Sequence, residues 1–197
     1  MRRSFSLNRR LFNVSLILLA ATAASLEAAT IPRPAPDLAI QMVDGSTKRL
    51  SQFRGKIVVL EFLITTCPHC KDTSRLMSRL QNEYGPRGIQ MLGVAINEMP
   101  KLLLPDYIAE TGANNFPVGY GQYNTAVDFL QHPPMLIMRV PQVVFIDRKG
   151  VIRTQRGGLD DEFFKDEEKV MRETIQKLLG GVALTGAQKA APKKKTP

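Results

Sequence analysis

One stretch governs what this chain can fold into. Residues 57–64 read Ile-Val-Val-Leu-Glu-Phe-Leu-Ile, a run of strand length that is apolar apart from Glu61. Such a run suits a strand buried on both faces. Directly behind it the spacing changes. Leu76, Met77, Leu80 and Tyr84 share one stripe, which predicts a helix from Cys67 to Tyr84. Gly85, Pro86 and Gly88 end that helix, and residues 89–96 form a second apolar strand. A strand–helix–strand unit crosses over right-handed and sets its strands parallel.

The flanks supply the rest of a sheet. Residues 38–43 and 47–50 enclose Asp44-Gly45, the signature of a small hairpin. Residues 102–111 and 123–130 read as helices, with Pro105 expected in the first turn of the former and a short strand at residues 116–118 between them. Residues 135–140, 142–146 and 151–155 are strand-like, the last two pairing across a turn at residues 147–150. Residues 160–179 predict one closing amphipathic helix, with Gly180-Gly181 after it. The sum is an α/β domain, a mixed sheet covered on both faces.

Both ends stand apart from this domain. Arg2, Arg3, Arg9 and Arg10 precede an apolar run at residues 11–24 and small residues at Ser25, Ala28 and Ala29. That is the pattern of a signal peptide over residues 1–29, with a run shorter than the roughly 20 residues of a bilayer-spanning helix. Arg9-Arg10-Leu11-Phe12 also resembles a twin-arginine signal. Export to the periplasm or another extracytoplasmic space is the expectation. Residues 186–197 are mostly Ala, Lys and Pro and read as a disordered basic tail, which leaves residues 31–182 as one domain.

The net charge of +9 loses its meaning once divided. Residues 1–30 carry +3 and the tail +4, leaving +2 on the core. A core so nearly neutral steers no nucleic acid, and membrane contact is expected only through the leader or the tail. Nothing in the pattern asks for a second subunit, and a monomer is expected.

The chain has two cysteines, Cys67 and Cys70, at the junction of the buried strand and the long helix. Unpaired N–H groups and the macrodipole at a helix start favour a thiolate. His69, when protonated, adds to that field, and Pro68 belongs to the same redox-tuning dipeptide. Cys70 lies one turn further along the same side, placed to attack a mixed disulfide at Cys67. As a structural staple the pair is weak: the loop-entropy model gives about 1.9 kcal/mol for four residues against about 3 for fifteen. Zinc fails on ligand count, since His69 and His132 are the two histidines and no second paired motif exists. Two thiolates with Met135 or Met138 suit cuprous copper, so metal delivery stays open beside redox exchange. Glu61, six residues before Cys67, is a candidate proton acceptor for the buried thiol if it lies inside; strand alternation alone also allows it to face water. Pro141 breaks a strand-like segment unless it sits at an edge or in a cis bond.

Together these segments resemble the thioredoxin superfamily, and within it the exported TlpA/ResA-like thiol–disulfide oxidoreductases. The resemblance is carried by residues 50–56 (Leu-Ser-Gln-Phe-Arg-Gly-Lys), Cys67 to Cys70, Val140-Pro141 and residues 145–150 (Phe-Ile-Asp-Arg-Lys-Gly). The dipeptide Pro68-His69 is similar to that of DsbA-type oxidases. The resemblance implies a thioredoxin-like fold with an N-terminal hairpin, an attacking Cys67, a resolving Cys70 and a buried acid at Glu61. It further implies a cis-proline at Pro141, with the Val140 backbone pairing to a substrate peptide. The partners implied are protein thiols or disulfides and a separate redox protein. The redox-active Cys67–Cys70 disulfide is the working group, with no added cofactor or metal. Two positions depart from the family: Thr66 replaces the usual aromatic before the first cysteine, and Thr73 stands where some relatives carry an acid. Peroxiredoxins of the AhpC/TSA type share the fold and form the rival class. Their cysteine follows Thr or Ser by three residues and Pro by seven, where this chain has Ile64 and Leu60.

Overall fold

A computed structural model describes residues 29–133, 135–158 and 160–181. Residues 1–28 and 182–197 lie outside the described residues, and with them the expected tail over 186–197 and all but residue 29 of the expected signal peptide over 1–29. Among the described residues no helix is long and apolar enough to cross a membrane.

The apolar run becomes strand β4, Ile57–Leu63, with every residue buried. It pairs parallel with β5, Ile89–Ala95, and antiparallel with β7, Gln142–Ile146. The other strands are β1 Arg33–Pro34, β2 Ala39–Gln41, β3 Thr47–Arg49, β6 Val118–Tyr120 and β8 Val151–Arg156. The eight form one mixed sheet in the order β1-β8-β7-β4-β5-β6-β2-β3, with the β2–β3 hairpin at one edge. Helices are α1 Pro68–Tyr84, α2 Pro100–Thr111, α3 Tyr123–Leu130, α4 Asp161–Lys165 and α5 Glu167–Leu179.

Strand alternation sorts the core into two halves. Ile57, Val59 and Leu63 join α1, α2, α4 and α5 on one face, whereas Val58, Leu60 and Phe62 join α3 on the other. Phe62 is fully buried and meets Phe129 of α3 with ring centroids 5.5 Å apart. Phe62→Ala is expected to lose about 3–5 kcal/mol, readable as a lower urea midpoint.

Two of the segments that carry the family resemblance, residues 50–56 and 145–150, meet at one end of the sheet. Leu50–Phe53 forms a 3-10 turn, the Gly55 N–H donates to the Arg148 carbonyl at 3.0 Å, and Arg54 donates to the Lys149 carbonyl at 2.6 Å. Gly55 holds φ +85 at this crossing, a value open to glycine and strained for other residues.

Four expectations change. The short strand between α2 and α3 covers Val118–Tyr120, so only residue 118 of the expected segment belongs to it. Helix α2 begins at Pro100, where a first-position proline needs no N–H, so Pro105 lies in the second turn. Residues 135–140 are not a strand: Met135, Leu136 and Ile137 are exposed, and the ladder starts at Gln142 because Pro141 brings no N–H. The closing helix is two. Asp160 caps α4 by accepting from the Phe163 N–H at 3.1 Å, and Asp166, at φ −140, breaks the chain before α5.

Candidate active site

Cys67 occupies the N-cap of α1 with extended backbone, and Pro68 follows at the first helical position. The turn from β4 is pinned by the Cys67 N–H donating to the Ile64 carbonyl at 3.0 Å and the Thr65 N–H donating to Asn97 Oδ1 at 3.1 Å. Both cysteines carry free thiols, Cys67 half-buried and Cys70 at 0% exposure. Burial pushes the Cys70 thiol far above the ordinary range, and the charge of Glu61 adds to the rise. Pro68 and His69 are exposed beside them.

Glu61 lies between Val59 and Leu63 on the face covered by α1, and its exposure is 0%. Ser74 donates to its Oε2 at 2.7 Å, while Oε1 has no hydrogen-bond partner among the described residues. Burial raises this carboxyl well above the usual range; the Ser74 bond pulls it back, and the charges of Glu167 and Cys67 push it further up. The alternative of a water-facing acid is thereby closed.

The Val140–Pro141 peptide bond is cis. Gln142 pairs with Phe62 and Val143 with Glu61, which sets Pro141 at the sheet end where β4 turns toward Cys67. Pro141 is buried, and half-buried Val140 packs against both halves of the core.

Three residues of this region escape a sequence reading. Tyr107 of α2 brings its hydroxyl 2.7 Å from Ser74 Oγ and 2.9 Å from the Cys70 carbonyl. Glu167, at the start of α5, accepts from Thr73 Oγ1 at 2.7 Å. Its carboxyl is raised mainly by burial, opposed by Thr73. Thr73 on α1 thus binds an acid delivered from α5. Ser74 carries one local signal, a serine four residues after Cys70 in a helix interior, where serine is a poor former unless its hydroxyl is used.

A copper site gains no support from the methionines. Met138 is buried in the half of the core opposite Cys70, and Met135 is exposed. Among the described residues no group of three or more His, Cys, Asp or Glu side chains could hold a metal ion.

Residues 31–155 match the model of the AhpC/TSA family. The chain belongs to that family. The match contains both cysteines, Glu61 and Pro141, and ends before α4. Curated relatives include the thiol-disulfide oxidoreductase ResA of Geobacillus kaustophilus, 29% identical over 126 residues, covering 64% of this chain and 68% of the relative. ResA of Oceanobacillus iheyensis is 31% identical over 122 residues, 60% of each chain. Among solved structures, a putative thiol:disulfide interchange protein DsbE from Chlorobium tepidum superposes with a TM-score of 0.64 at 22% identity, over 76% of this chain and 97% of that one. That likeness, at its low identity, establishes the thioredoxin-like fold.

Proposed function

We propose that this family member is an exported thiol–disulfide oxidoreductase that exchanges a Cys67–Cys70 disulfide with protein thiols. One observation carries the reading: an accessible cysteine at a helix start stands one turn before a fully buried one, above a buried acid. Cys67 attacks or is attacked, since its sulfur sits where unpaired helix N–H groups favour negative charge. Cys70 resolves the mixed disulfide. Glu61 exchanges the proton of the buried thiol. Val140 and Pro141 shape the substrate groove, and Pro68 with His69 tunes the poise of the pair. The basic, apolar and small-residue pattern of the leader supports export, as does the extracytoplasmic character of TlpA/ResA-like proteins.

Cys70→Ser is expected to accumulate a covalent adduct with a thiol-bearing protein substrate, seen on a non-reducing gel and released by dithiothreitol. Cys67→Ser should form none, and an adduct through Cys70 alone would overturn the assignment. The direction of electron flow follows from the reduction potential: near about −120 mV the pair oxidises substrates, near about −270 mV it reduces them. Peroxide consumption that survives Cys70→Ser would instead mark a peroxidase.

A further inference from the structure

Four oxygens run in single file beneath the cysteines. Glu61 Oε2 is 2.7 Å from Ser74 Oγ, Ser74 Oγ is 2.7 Å from Tyr107 Oη, and Tyr107 Oη is 2.9 Å from the Cys70 carbonyl. The file starts on β4, crosses to α1, touches α2 and returns to α1 at the residue that bears the second thiol. Glu61, Ser74 and Tyr107 are 0%, 0% and 2% exposed, so the file is closed to bulk solvent.

Three short contacts need three hydrogens. Ser74 and Tyr107 own one each, and the carbonyl has none. The third comes from the Glu61 carboxyl. With Glu61 protonated, every group donates once in the same direction: Glu61 to Ser74, Ser74 to Tyr107, Tyr107 to the Cys70 carbonyl. With Glu61 ionised, Ser74 must turn back to the carboxylate. The single Tyr107 proton then serves either Ser74 or Cys70, and one pair of oxygens faces each other with no hydrogen between them. Buried contacts of that kind are strongly disfavoured.

We propose that Tyr107 is a positioning residue whose hydroxyl, acting through Ser74 as the bridge of a relay, stabilises the proton on Glu61 and ties it to the turn carrying Cys70. The proposal rests on the exchange reading given above and assigns the step at which the relay acts. When Cys70 resolves a mixed disulfide, its S–H bond breaks and a Cys70–Cys67 S–S bond forms. The Cys67–substrate S–S bond breaks, and its electron pair leaves on the substrate sulfur. The Cys70 proton passes to Glu61 on Oε1, the oxygen without a partner among the described residues. The relay then falls into its one-way order, which favours the transfer. The substrate thiolate takes a proton from water, and Glu61 returns its own to the Cys70 thiolate released when a partner dithiol attacks Cys67 and reduces the disulfide again. Besides Ser74, the groups acting on this carboxyl are Cys67, Cys70, Tyr107 and Glu167.

The count of hydrogens makes a prediction that simple packing does not. In Tyr107→Phe, Ser74 loses its acceptor when Glu61 is neutral yet still donates when Glu61 is ionised, so the Glu61 midpoint falls. In Ser74→Ala both forms of Glu61 lose Ser74, and the carboxylate loses more because its bond is charge-assisted, so the midpoint rises. Each shift is expected to be about one pH unit, the size of one hydrogen bond. The infrared carbonyl band of the protonated carboxyl, assigned by its loss in Glu61→Gln, gives the midpoint in each full-chain variant. Opposite shifts support the relay; two unmoved midpoints, or two that move the same way as looser packing would cause, overturn it. Tyr107→Phe keeps the ring that fills its site and decides the matter if Ser74→Ala fails to fold: a fall supports the relay and any other result overturns it. The titration requires no turnover, so a wild-type chain without exchange activity would sink the exchange reading while the relay stays separately measurable.

Discussion

Cys67→Ser is expected to lower thiol–disulfide turnover at least about a thousandfold, because a serine hydroxyl neither ionises near neutral pH nor forms the exchangeable bond. The measurement is the rate of reduction of a protein disulfide by the reduced protein, or of thiol oxidation by the oxidised one, whichever direction the potential allows. Cys70→Ser should behave differently. It keeps the first exchange and stalls at the mixed disulfide, so a single stoichiometric burst replaces turnover. The asymmetry follows from exposure, since Cys70 is at 0% and no protein substrate reaches its sulfur directly. Equal losses without an adduct in either variant would contradict separate attacking and resolving roles.

Glu61→Gln is expected to stabilise the fold while it slows exchange. The ordinary glutamate value is 4.5, and burial raises it in the folded chain. Between those two values the folded protein holds a proton that the unfolded chain has released, so stability falls as pH rises through that window and levels off above it. Below pH 4.5 both states are protonated, the penalty is absent and the stability is fully present. Glutamine keeps a donor toward Ser74, cannot ionise, and removes the slope. At pH 8 the variant is expected to gain about 2 kcal/mol, or about 4–8 °C in Tm for a chain of this size. At pH 4 the two melting curves should converge. The resolving step should slow about a hundredfold, the scale of a lost proton acceptor. A variant that melts lower at pH 8, or exchanges at the parental rate, would show that the acid is spectator packing.

The strand–helix–strand unit was legible because its signals are local. Seven residues of β4 are all buried, and α1 carries one apolar stripe, so period and length alone set them. Residues 135–140 misled for the same reason: apolar content reads as strand, although Met135 and Ile137 are 83% and 86% exposed. Composition does not separate a strand from an exposed apolar loop. The single helix expected over residues 160–179 split because Asp166 leaves helical geometry, a backbone event that the apolar spacing on either side does not register. The two cysteines, Glu61 and Pro141 are legible from spacing and resemblance. Ser74, Tyr107 and Glu167 are not, because their roles exist only after packing: Tyr107 meets a serine 33 positions earlier, and Glu167 a threonine 94 positions earlier. No periodicity in one dimension encodes such meetings.

The alternation of β4 carries a last consequence, for the choice among misfolded pairings. Apart from its acid, β4 is apolar on both faces, so hydrophobicity alone would barely distinguish the native alignment from one slipped by a residue. Glu61 breaks that degeneracy. A one-residue slip would rotate the carboxyl away from Ser74 and into the opposite half of the core, among Leu60, Phe62 and their neighbours. A polar group stranded there costs about 2–7 kcal/mol. The side chain that weakens the native strand therefore penalises its shifted decoy more heavily, and works as an alignment pin for the centre of the sheet.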